Sequence, residues 1–120
     1  MRRRAARLVD AHTGMFGDTS FPMDRQDRAN VPASHFLRPC SGKLGIAHPL
    51  HRKMIERSMT MAANNGRAYH LWWHPHNFGN DPKACMKELE LLITHYKYLK
   101  DQYGMQSQHM KSIGDQFRLT

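Results

Sequence analysis

The sequence predicts an α/β fold, mostly helical, with one clear strand near residues 68–74. Three observations predict it. The run Ala68–His74, AYHLWWH, is aromatic, short and bounded by glycine and proline, which is the composition of a strand. Residues Leu89, Leu92, Tyr96, Leu99 and Tyr103 advance by alternating steps of 3 and 4, so they share one face of a helix. A second helical pattern, with Leu50, Met54, Met61 and Ala62 and with Ser58 between them, precedes the strand. The strand looks apolar on both sides, as in a parallel sheet covered by helices. One strand cannot satisfy its own backbone hydrogen bonds, so the chain reads as a piece of a larger α/β domain.

The elements follow in order. Residues 2–12 fit a short helix, with Ala5, Leu8, Val9 and His12 on one face and Gly14 as its stop. Residues 15–33 carry Gly17, Asp18, Pro22, Asn30 and Pro32 and read as an irregular stretch. Ser34–Pro39, SHFLRP, offers a brief extended segment, and Cys40–Gly45 is loop. The next helix runs from His48 or Pro49 to about Asn65. Pro49 suits a first turn, and Asn64-Asn65-Gly66 suits a left-handed stop. The strand should end at His74, because Pro75 holds the residue before it in extended geometry and has no N–H to donate. Asn80 or Asp81 then caps the long helix, with Pro82 in its first position and Gly104 at its end. A last short helix begins after Ser107 and includes Met110 and Ile113.

The 120 residues bound the chain to a single domain. A net charge of +8 and a pI near 9.9 favour loose attraction to anionic surfaces. The charge is scattered, however: Arg2, Arg3, Arg4 and Arg7 form one group, Arg52, Lys53 and Arg57 another, Lys97 and Lys100 a third. The last two groups fall on polar helix faces, and no nucleic-acid motif accompanies them, so specific nucleic-acid binding is not expected. No apolar run approaches the roughly 20 residues of a membrane helix. Asp10 and His12 interrupt what would be the apolar part of an export signal, which favours the cytoplasm. Cys40 and Cys85 lie in no CxxC spacing and are expected to be two reduced thiols. Cys85 lies in the first turns of a helix, where a thiol pKa can fall.

Three histidines crowd the strand: His70, His74 and His76. Four residues along a strand span roughly 13 Å, whereas metal–nitrogen bonds are about 2.1 Å. His70 and His74 therefore cannot share an ion. His74 and His76 flank Pro75, where a turn can bring them together, but no third ligand accompanies them, so no metal ligand is assigned. His74 remains as the last extended residue before the break. Functional groups of parallel α/β folds collect at the carboxyl ends of strands, and an imidazole there can work as general acid or base. On the residues alone, a loop histidine held by hydrogen bonds is the simpler reading. Trp72 shares its face with His74, and Trp73 points the other way.

The run YHLWWHPHNFG (Tyr69–Gly79), the helix after it and GMQSQHM (Gly104–Met110) resemble the C-terminal end of polysaccharide deacetylases, the chitooligosaccharide-deacetylase-like members of carbohydrate esterase family 4. ASHFLRP (Ala33–Pro39) and the helix before Gly66 are similar to the same neighbourhood, so the resemblance covers roughly residues 33–115. It implies that residues 33–120 are the C-terminal part of a distorted β/α barrel, preceded by an irregular or short-helical segment, 1–32. The resemblance also implies a divalent, zinc-like metal held by an aspartate and two histidines, with metal-bound water attacking the N-acetyl group of an amino sugar in a polysaccharide or oligosaccharide. An aspartate is the family's base, and a histidine of the late strand is its general acid. His74 matches that acid by its position in the motif, and Trp72 is the candidate wall of the sugar site.

The departures are as informative. No TFDD-like segment occurs, and no histidine pair followed by Ser or Thr. His70 and His74 mimic the spacing of that pair, but Leu71 follows the first. The chain thus lacks the family's metal ligands and base. The expectation is a deacetylase portion that carries no cofactor of its own and is inactive alone, since without activated water the acid has nothing to assist. The alternative is a non-catalytic basic module that binds a glycan, a partner protein or nucleic acid.

Overall fold

The computed structural model describes residues 20–21, 31–40 and 47–118. The helix expected over 2–12, most of the irregular stretch 15–33 and most of the 40–45 loop lie outside the described residues. The order is β1 (His35–Phe36), α1 (His48–Asn64), β2 (Leu71–Trp72), a 3₁₀ turn (Pro75–Phe78), α2 (Pro82–Tyr103) and α3 (Met110–Arg118). The protein is mostly helical with a small two-stranded parallel sheet.

Two corrections concern the sheet. The extended segment Ser34–Pro39 contains a strand, so β2 does have a partner: His35 pairs with Leu71 and Phe36 with Trp72, in parallel. Parallel strands need a long crossover, and α1 supplies it. The second correction is length. Of the run 68–74, only Leu71–Trp72 is paired strand. Ala68 instead makes an antiparallel bridge to Phe21, with Phe21 N–H donating to Ala68 O at 3.0 Å and Ala68 N–H to Phe21 O at 2.8 Å.

The helix boundaries follow the residues that set them. Pro49 stands in the first turn of α1. Its end is closed by Gly66, at φ 61°, with Arg67 N–H donating to Ala62 O at 2.8 Å and Gly66 N–H to Ala63 O at 3.4 Å. This is the paired bonding of a left-handed glycine stop. Asp81 caps α2, accepting from Ala84 N–H at 3.1 Å, and Gly104 ends it at φ 70°. The last helix, α3, begins after Ser107 as expected. His109, not Ser107, supplies the cap, its Nδ1 accepting from Ser112 N–H at 3.1 Å; Ser107 N–H donates instead to the Tyr96 hydroxyl.

The core lies between α1 and α2. Leu37, Met54, Ile55, Met59, Leu92 and Leu99 are buried together, with Tyr69, Leu71, Leu89 and Tyr96 packed on them. The buried stripe of α1 keeps the expected Met54, Ser58 and Ala62 but not all of the expected residues. Leu50 and Met61 are exposed, while His48, His51, Ile55 and Met59 are buried. The histidines are drawn in because the peptide after β1 needs partners: His51 Nε2 accepts from Arg38 N–H at 3.3 Å, and His48 Nε2 donates to Arg38 O at 3.1 Å. Tyr103 completes the α2 stripe by spacing but is exposed. Arg52 is no solvated charge either: its guanidinium donates to both Glu88 carboxylate oxygens, at 2.7 and 2.8 Å, and ties α1 to α2.

Candidate functional site at the strand ends

Register and alternation sort the sheet residues into two faces. Leu37, Tyr69 and Leu71 join the core that α1 and α2 build. His35 stays on that face, hydrogen-bonded through Nδ1 to the Tyr69 hydroxyl at 2.8 Å. Burial pushes the Tyr69 phenol well above its usual pKa. Trp73 also lies on this side, stacked on Phe78 at 6.0 Å and 14°.

The opposite face carries Ser34, Phe36, His70, Trp72 and His74. Here the sequence predicted a buried strand, and the structure shows otherwise: Trp72 and Trp73 are each 37% exposed, and His74 and His76 are exposed. Among the described residues, the α1–α2 core packs on the Leu37, Tyr69 and Leu71 side of this sheet. The rings on the Trp72 side touch in sequence. Phe36 lies 4.7 Å from Trp72, and Trp72 meets His74 edge-on at 5.2 Å and 89°. Phe36 is 6.2 Å from His74. His76 stacks on His74 at 5.1 Å and 14°.

Pro75 sets this geometry. His74 is extended, at φ −97° and ψ 142°, as a residue before proline must be. Pro75 then opens the 3₁₀ turn. Asn77 holds the turn from both sides: its Oδ1 accepts from His74 N–H at 3.0 Å, and its own N–H donates to His74 O at 2.9 Å. The backbone of His74 is fixed while its ring projects from the carboxyl end of β2. The structure thus brings His74 and Trp72 together. His70 belongs to the preceding extended segment, where its N–H donates to Ser34 Oγ at 3.1 Å.

Phe36 was not singled out from the sequence. Its signal was an aromatic inside SHFLRP, and its place became visible only with the register Phe36–Trp72. The described rings form a platform. Two clefts of about 330 and 270 Å³ share Tyr69, Met105, Gln106 and Gln108, and neither is lined by Trp72 or His74.

Among the described residues, no three His, Cys, Asp or Glu side chains come together to hold a metal. The divalent metal implied by the resemblance therefore finds no donor set among them. Also among the described residues, no helix is long and apolar enough to cross a membrane. What the strand ends offer is an exposed imidazole beside two aromatic ring faces. No family model matches the chain, and comparison with curated proteins and with solved structures finds no match.

Proposed function

We propose that this chain is the C-terminal portion of a polysaccharide-deacetylase-like hydrolase, and that it contributes a general acid, His74, and a sugar-facing ring, Trp72, to removal of N-acetyl groups from amino sugars. One observation carries the proposal. The sheet face holding Phe36, Trp72 and His74 stands at the carboxyl ends of two parallel strands and is exposed at Trp72 and His74, as the inward face of a barrel strand would be with the rest of the barrel removed. The barrel itself is part of the proposal.

The chemistry assigned to this chain is proton transfer alone. The His74 imidazolium donates to the leaving amine as the C–N bond breaks and is left neutral. Trp72 and Phe36 offer their faces to the apolar side of the sugar ring. The metal ligands and the base are to be supplied by other residues of the working enzyme.

The test joins this chain to barrel segments that carry a metal-binding aspartate–histidine set and a base, and follows acetate release from N-acetylated chito-oligosaccharides. His74→Ala should lower kcat by roughly 10²–10⁴-fold, the usual contribution of a positioned acid. His70→Ala should change it no more than a few-fold. Equal, mild losses would remove His74 from the chemistry. A second reading, a glycan-binding module without catalysis, is favoured by the aromatic platform. It predicts sugar binding by the joined protein and no acetate release.

A further inference from the structure

Cys40 follows the carboxyl end of β1, and Cys85 sits in the first turn of α2, separated by 45 positions in the sequence. The fold brings them into contact. Cys40 N–H donates to Cys85 Sγ at 3.4 Å. Both are free thiols; Cys85 is fully buried and Cys40 half-buried. Cys85 also reaches the turn that carries His74, its S–H donating to Asn77 O at 3.9 Å.

We propose that Cys40 and Cys85 form a reversible disulfide that ties the loop after β1 to the first turn of α2. The oxidant is a low-molecular-weight disulfide. The half-buried Cys40 thiolate attacks it, forming a mixed disulfide and releasing one small thiolate. The Cys85 thiolate then attacks the Cys40 sulfur, closing the internal bond and releasing the second small thiolate. The protein loses two electrons and two protons, and both small thiolates take up a proton.

The surroundings set the rate. Burial, then the Cys85 thiol and the Glu88 and Asp81 carboxylates, raise the Cys40 thiol above its ordinary pKa. Glu88 is itself held by Arg52 and lies 3.5 Å from His48. Thiolate is therefore scarce at neutral pH, and bridge formation should accelerate steadily as pH rises from 7 to 9.

The test incubates the full chain with oxidised glutathione and reads intact mass and disulfide-linked peptides. The expected product has lost two hydrogens, keeps no glutathione, yields a peptide pair joining Cys40 to Cys85, and returns to the thiol form with dithiothreitol. Cys85→Ala should retain glutathione on Cys40, because nothing resolves it. Cys40→Ser should retain none, because Cys85 is buried. The bridged wild type should melt several degrees above the reduced form, since the bond closes a long loop of the unfolded chain. A stable adduct on wild-type Cys40, a bridge between two chains, no reaction at high pH, or a bridged form that melts lower would each overturn the proposal.

Discussion

The α1–α2 pair and the strand ends are built from similar residues and do opposite things with them. Between the helices, Leu99, Ile55, Cys85 and Ala62 are completely buried, and Glu88 is held by Arg52 across the contact. At the strand ends, Trp72 and His74 are exposed and touch one another, Phe36 and His76. An apolar or aromatic residue in the helix pair is there because water is excluded. At the strand ends the same kind of residue is presented to whatever meets that face. Stability and function should therefore separate along this line, and substitutions can test the separation.

The largest effects should come from the helix pair. Leu99→Ala and Ile55→Ala each remove a fully buried side chain and should cost about 2–5 kcal/mol, read as a lower urea midpoint at unchanged slope. Smaller losses come from the ends of α2. Asp81→Ala deletes the cap on Ala84 N–H and should cost about 1 kcal/mol. Gly104→Ala forces a side chain into φ 70°, at about 1 kcal/mol; nothing lies close to the added methyl, so the loss would be backbone strain and not a clash.

Tyr69 joins the two regions, packed on the core yet bonded to β1 through His35. Its folded-state pKa is raised by burial. The stability this gives is complete below the phenol's ordinary value near 10 and drains away as pH climbs past it, because the unfolded chain ionises first. Urea midpoints measured from pH 8 to 11 should fall more steeply for wild type than for Tyr69→Phe. Equal slopes would mean that the phenol is not held neutral by the fold. The smallest stability effect belongs to the exposed end of β2: His74→Ala should change the unfolding free energy by about 1 kcal/mol or less.

The same line divides what was legible in the sequence. The ends of α1 and α2 follow from Pro49, Gly66, Asp81, Pro82 and Gly104, whose conformational demands are local. The stripe of α2 was readable because its period is regular. That of α1 was read in part: Met54, Ser58 and Ala62 are buried, but the burial of His48 and His51 answers the Arg38 peptide, thirteen positions or fewer away and on another element. The pairing of SHFLRP with the aromatic run depends on a crossover that no local signal announces. His74 and Trp72 were placed on one face by simple alternation, and their rings do meet. Their exposure was missed, because an aromatic strand looks the same whether both of its faces are covered or only one. The contact of Cys40 with Cys85 was beyond spacing arguments for the same long-range reason.

The central claim is that the sheet face of Trp72 and His74 receives a sugar. Tryptophan fluorescence of the full chain, titrated with N-acetylated chito-oligosaccharides, tests it most directly, since the two tryptophans lie on opposite faces of the strand. The account predicts saturable quenching that Trp72→Ala abolishes and Trp73→Ala retains, with both variants as cooperative in unfolding as wild type. Quenching that survives Trp72→Ala, or that is lost with Trp73→Ala alone, would contradict it.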